Sequence, residues 1–188
     1  MTNFIKPYNP DWITEFEALK NYLITGLKDF DIDIQHIGST SIPGLCAKPI
    51  IDIDIILKQK IQLGDISAKL EKLGYKNKGE QGISGRHAFR QTSGLTPSTA
   101  DRKKWQEHHL YVCYPESLAL KNHLLFRDVL IQNKDLVNEY AQLKINLTKE
   151  KGMTREKYTM QKTHFILSVL ALNGLDEKEL NEIKAANL

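Results

Sequence analysis

The stretch from His36 to Ile56, HIGSTSIPGLCAKPIIDIDII, gathers the residue types of this chain that could carry out chemistry. From Ile50 onward its apolar run is interrupted only by Asp52 and Asp54. Side chains of an extended strand alternate between faces, so the two acids share one face while Ile51, Ile53 and Ile55 occupy the other. Neighbouring carboxylates on an otherwise apolar strand repel each other and resist burial, which calls for a compensating cation, most simply a divalent metal such as Mg²⁺ or Mn²⁺. Upstream, Gly38 allows a backbone to approach a phosphate closely, and Ser39 and Thr40 supply hydroxyls and amides at a turn. A metal on the two acids, facing a phosphate held at Gly38 to Thr40, is the equipment of in-line phosphoryl or nucleotidyl displacement.

These residues need elements to position them. The alternating segment Asp31 to Ile37, DIDIQHI, reads as a strand that delivers the chain to Gly38; Asp31 and Asp33 sit at its start as solvated acids. Ahead of it, a helix capped by Asn9 or Asp11 continues to Phe30, with Trp12, Phe16, Leu19, Leu23 and Leu27 as an apolar stripe that packs. After Ile56 a polar connection leads to a helical spacing over Ile66 to Leu73, ended by Gly74. Tyr75 to Gly85 reads as a turn or mobile loop. A strand follows with Arg86, Ala88 and Arg90 on one face, where the two arginines could clamp an anion. Gln91 to Lys104 is a loop, and Trp105 to Tyr114 a strand that places Glu107, His109 and Tyr111 on one face. From Pro115 the chain turns helical: three helices over Glu116–Asn133, Asp135–Lys151 and Thr154–Leu172, with Gly152 and Gly174 as breaks, and a charged, frayed tail from Asp176 to Leu188. The expected architecture is α+β, a mixed sheet with flanking helices in residues 1–114 and a helical region in residues 115–188.

Composition narrows the function classes. With 188 residues the chain suits one compact unit, and Lys+Arg 26 against Asp+Glu 23 is too mild a balance for a dedicated nucleic-acid binder. Cys46 and Cys113 lack a CxxC spacing, so reduced thiols in the cytoplasm are expected rather than a disulfide framework or a cysteine zinc site. No run approaches the roughly 18 apolar residues of a membrane helix. Neither a G-x-S-x-G elbow nor a P-loop is present, which argues against acyl transfer and against that class of ATPase.

Gly38-Ser39, twelve residues and then Asp52-Ile53-Asp54 resemble the core motif of the nucleotidyltransferase superfamily, and the longer string GSTSIPGLCAKPIIDIDI resembles the signature of the GrpB family. Further matches are Pro7-Tyr8-Asn9-Pro10 with Trp12, His109 to Val112, Leu120 to Asp128, and Tyr158 with Lys162 and Phe165. The resemblance implies a nucleotidyltransferase-like core followed by helices, a nucleotide substrate and, by fusions known in the family, a link to dephospho-CoA kinase and CoA-related ligands. It brings Lys48 toward a substrate phosphate. Superfamily enzymes place a third carboxylate on a later strand, and the family favours His at 109 and often at 111, where this chain has Tyr. Either His109 serves as third ligand, which imidazole does better for Mn²⁺ than for Mg²⁺, or Glu107 substitutes, or the ligand is missing. Asn122, His123 and Arg127 on one helix, and Lys162 on another, border the expected cleft, with His36 a hydrogen-bonder at the strand end. The expected function is metal-dependent nucleotidyl or phosphoryl transfer; a silent nucleotide-binding module and a metal-dependent phosphohydrolase are the alternatives.

Overall fold

The computed structural model describes residues 5–186, apart from the side chains at 155 and 156. Helix α1 (Asp11–Gly26) begins where the Asn9 side chain accepts the Asp11 amide, and it buries Trp12, Phe16, Leu19 and Leu23. It stops at Gly26, short of the expected Phe30; Leu27 nevertheless completes the buried stripe. Five strands follow in one sheet: β1 (Ile32–Ile37), β2 (Ile51–Leu57), β3 (Tyr75–Asn77), β4 (Arg86–Gln91) and β5 (His108–Cys113). Their order is β1-β2-β5-β4-β3, with β2 and β5 parallel and every other neighbouring pair antiparallel. This is the mixed α+β sheet expected from the sequence.

Register divides the sheet into two chemically different faces. Ile51, Ile53 and Ile55 of β2, with Leu110 and Val112 of β5 and Phe89 of β4, pack against α1 and α2 (Leu63–Lys72) as the main apolar core. The other face carries Asp52 and Asp54, opposite His109 and Tyr111 of β5, which in turn oppose Arg90 and Ala88 of β4. That polar face is roofed by the helices α3 (Leu118–Gln132), α4 (Lys134–Lys149), α5 (Arg155–Leu172) and α6 (Glu177–Ala186). Ile42 and Leu45, from the connector between β1 and β2, insert among Leu130, Val137, Tyr140 and Val169, so the connector is what fastens the helical layer to the sheet. Caps define the helix starts: Ser117 accepts from Leu120, and Asn133 from Asp135 and Leu136.

Three expectations are corrected. Tyr75 to Asn77 is not loop but an edge strand, because its residues pair with Gln91, Arg90 and Phe89. Strand β5 starts at His108, three residues later than expected; Trp105 instead turns inward, buried, with its indole N–H on the Pro97 carbonyl. The tail is not frayed: α6 buries Ile183 against Leu170 and Leu175. Residues 187–188 of that tail lie outside the described residues. Among the described residues no helix is long and apolar enough to cross a membrane.

Two buried histidines on the apolar side are tuned to stay neutral. His108 has Nδ1 facing the Gln106 carbonyl, which requires a proton on Nδ1, and Nε2 facing the Tyr75 hydroxyl, which donates to the ring when it is neutral. His36 stacks on Phe16 and reaches Thr40 through Nε2. Burial lowers both from the usual 6.5 to about 4. The unfolded chain therefore binds more protons between those values, so this stability is complete above about pH 6.5 and is lost as pH falls toward 4, by up to about 3 kcal/mol for each ring. Urea titrations at pH 7.5 and pH 5 are expected to show that loss, and His108→Gln to remove part of it; equal stability at both pH values would refute the account.

Candidate active site

The site is built outward from Gly38. Strand β1 ends at Ile37, paired with Asp52, and the next residue adopts φ +70. A Cβ at this position would lie 2.4 Å from Asp52 Oδ2, so only glycine lets the carboxylate rest against the backbone. The chain then makes a single 3₁₀ turn, Ser39–Ser41, closed by the Ser41 hydroxyl donating to the Gly38 carbonyl at 2.7 Å. Thr40 is buried, donating to the Ile50 carbonyl and accepting from His36, so its hydroxyl braces the corner. Ser39 is the hydroxyl turned toward the helices, where Lys144 Nζ donates to it at 3.1 Å.

Asp52 and Asp54 share the predicted face but not the same surroundings. Asp52 is 28% exposed and accepts from His109 Nδ1 at 2.9 Å; Asp54 is fully buried and accepts from His123 Nδ1 at 2.8 Å. Each carboxylate thus has one oxygen held by an imidazole. Of the others, Asp52 Oδ2 turns to Gly38 and Asp54 Oδ1 is buried with no hydrogen-bond partner among the described residues. A carboxylate oxygen without a well-formed hydrogen bond in a low-dielectric setting is costly, and at Asp54 the neighbour that comes closest to meeting that need is the buried Cys113 thiol. Tyr111 stands between the two imidazoles, 6.4 Å from His109 and 6.1 Å from His123 by ring centroids. Burial, with Asp52 next, pushes its phenol well up, so it remains a neutral donor. Among the described residues, no three His, Cys, Asp or Glu side chains converge as a ready metal site.

Facing Asp52 is a cavity of about 260 Å³ whose walls include Lys48, Lys144, Lys162, His109 and Tyr158. Lys144 also donates to the Cys46 carbonyl and lies 4.7 Å from the Tyr140 ring centroid; Lys162 lies 4.8 Å from that of Tyr158. Burial lowers Lys144 to about 7, and burial followed by the repulsion of Lys48 lowers Lys162. Three lysines around one partly desolvated space concentrate positive charge where an anion could be held. A second cavity of about 270 Å³ shares Ser39, Asp52 and Lys162 with the first, and a third of about 370 Å³ shares Asn122, His123 and Ile183 with the second.

The structure brings Gly38, Ser39, Thr40, Lys48, Asp52 and His109 together around the first two cavities. Asn122 lines the second and third. Arg86 and Arg90 do not meet Lys48: Arg86 lies in the third cavity, and Arg90 is exposed and lines none of the three. Arg127 is engaged elsewhere, donating to Gln35 and the His36 carbonyl and so tying α3 to β1. Glu107 is exposed and outside all three cavities. Two residues of the site are not legible as such in the sequence. Lys144 sits in the buried stripe of α4 with Val137, Tyr140 and Leu147, where a lysine is an anomaly and the one signal that could have found it. The pairing of His123 with Asp54 had no sequence signal, since it depends on how α3 lies over the sheet.

Comparisons with known proteins identify the family and the fold. The family model described as GrpB protein matches residues 3–171. The UPF0157 protein YqkA of Bacillus subtilis is 33% identical over 159 residues, 85% of this chain, and the chain spans only 43% of that relative. A crystal structure of the conserved protein GrpB from Enterococcus faecalis superposes with TM-score 0.73 at 29% identity, covering 96% of this chain and 98% of that one. The Cid1 poly(U) polymerase, in a structure bound to MgATP, shares the fold at TM-score 0.60 and 17% identity, over 88% of this chain and 51% of its own. A mixed sheet with a Gly-Ser corner opposite paired acids, and a family match over most of its length, make this chain a member of the GrpB family.

Proposed function

We propose that the protein binds the polyphosphate of a nucleotide in the cavity lined by Lys48, Lys144 and Lys162, and transfers a nucleotidyl or phosphoryl group from it to a second molecule. The observation that carries this reading is the placement of Asp52, pressed against Gly38 and turned into that cavity. Residues 1–114 would supply the carboxylates and the phosphate corner, and residues 115–188 the lysines of α4 and α5 and the histidine of α3. The fold neighbour bound to MgATP supports a nucleotide as ligand.

Mg²⁺ or Mn²⁺ suits the donor set: Asp52 and Asp54 each retain an oxygen not held by an imidazole, and His109 has Nε2 left once Nδ1 is held by Asp52. Such an ion, held by these residues, would supply Lewis acidity and offset negative charge that develops on a phosphate during displacement. The residues of the chain do the remainder. Asp52 orients His109, and Asp54 orients His123, each fixing one tautomer. Ser39 and the lysines hold the anion, and the roof of α4 and α5 limits water. Carbonyl Cys46 keeps Lys144 aimed at Ser39.

A second reading, a nucleotide-binding module without turnover, draws on a specific observation: both carboxylates are already hydrogen-bonded by histidine, and no third acidic ligand joins them among the described residues. A CoA-related nucleotide is one ligand to include under either reading.

Calorimetric titration with Mg²⁺ or Mn²⁺ and each common nucleoside triphosphate distinguishes these. Asp52→Asn with Asp54→Asn is expected to weaken metal-dependent nucleotide binding by about tenfold or more; binding that survives the double change would remove both acids from the site. Pyrophosphate release by the wild type would favour transfer, and tight binding without it the module. Gly38→Ala meets both an unfavourable φ and the Asp52 carboxylate, so it is expected to cost about 1–3 kcal/mol of stability and to weaken nucleotide binding. Denaturation and calorimetry on that variant check both, and an alanine variant of unchanged stability would mean that the close approach is not needed.

A further inference from the structure

The third cavity, between the loop before β4, the start of α3 and the roof helix α6, is not accounted for by a phosphate site at Lys48. Its volume of about 370 Å³ is within the range of pockets that enclose one small molecule. One wall carries Arg86, whose guanidinium lies 4.6 Å from the Tyr111 ring centroid and whose buried Nε has no hydrogen-bond partner among the described residues. The arginine is held in place from behind. Gly85, at φ +73, packs so closely under α3 that a Cβ there would meet Ser117 at 2.9 Å, and its amide donates to Glu80. Leu118, Ala119 and Ile183 form the apolar part of the wall, and Glu182 stands at the rim. His123 belongs both to this cavity and to the next one, where Asp52 lies, and it is hydrogen-bonded to Asp54. Stacking on Tyr111 fixes the plane of the guanidinium, whose outer nitrogens can meet a carboxylate or phosphate in the cavity, and the adjoining aliphatic wall calls for a compact apolar body on the same molecule.

We propose that this cavity binds a second ligand, a small molecule with a carboxylate or phosphate held by Arg86 and an apolar body lying against Leu118, Ala119 and Ile183. Its role as acceptor of the transferred group rests on the function proposed above; its existence as an anion site does not.

Benzoate is a suitable probe, with benzyl alcohol as its neutral counterpart, followed by amide shifts in ¹H–¹⁵N spectra of the full chain. Benzoate is expected to move signals of residues 82–86, 118–123 and 182–186, and benzyl alcohol to bind about tenfold more weakly or not at all. Arg86→Gln should abolish the benzoate shifts, whereas Arg90→Gln, on the same face of β4 but outside the cavity, should leave them intact. If Arg86→Gln does not fold, Ala185→Trp tests the same point by filling the cavity from its exposed rim. Absence of binding at tens of millimolar, shifts located elsewhere, or benzoate binding retained in the folded variants would overturn the proposal. Adding ATP with Mg²⁺ to the benzoate-loaded protein separates the two readings. Displacement of benzoate would merge the cavities into one site and overturn a second ligand, while retained benzoate shifts without any nucleotide binding would remove the acceptor role and leave the Arg86 site in place.

Discussion

The contact between the Asp52 carboxylate and the Gly38 backbone is the constraint on which the rest of the site depends. It fixes the end of β1 against the middle of the sheet, and it works only because residue 38 has no side chain and accepts a positive φ. Everything downstream inherits that geometry. The turn Ser39–Ser41 starts from it, Thr40 is braced by His36 and Ile50, and Ile42 and Leu45 carry the helical layer onto the sheet. Moving the corner would therefore disturb both the position of Ser39 and the seating of α3, α4 and α5.

The polar face of the sheet and the underside of its roof are complementary in charge. Acids stand on β2, while His123, Lys144 and Lys162 descend from three different helices. Desolvation makes such an arrangement expensive for each charge taken alone, and mutual attraction offsets only part of that. Burial first, and then repulsion between neighbouring lysines, lowers the affinity of Lys144 and Lys162 for protons. An anion placed between them would favour their charged forms, as the proposed function requires. The roof is thus part of the site and not merely its support.

What the sequence revealed, and what it concealed, follows from the range of each interaction. The alternation of β2, the Gly38 corner and the α1 stripe are local patterns, and all three appear in the structure as read. Strand β3 was hidden because three residues with one lysine carry no periodicity; its identity comes from pairing with β4. Helix α6 offers little more than Leu180 and Ile183 as apolar anchors, and only the groove between α3 and α5 makes them sufficient. Lys144 was visible in principle, as a charge within an apolar stripe, but its partners Ser39 and Cys46 lie about a hundred positions away. The separation of Arg86 from Lys48 required the strand order. Arg86 pairs with Cys113, which pairs with Ile56, so it stands at the far end of β2 from Lys48 and two strands across, roughly 10 Å sideways.

That separation bears on which chemistry the fold can serve. Lysines gather before the start of β2, Arg86 stands level with its last residues two strands across, and the carboxylates with their histidines fall between. A hydrolase needs one binding site and access for water. Two differently built cavities, one suited to a dense polyanion and the other to a single anionic group on an apolar body, are more structure than hydrolysis requires. Under the proposed function they would hold two molecules on either side of Asp52 and His123, and holding both reactants converts an encounter into a step within one complex. If the protein transfers a group as proposed, the third cavity, rather than the acids alone, is the part of the molecule that would define its substrate.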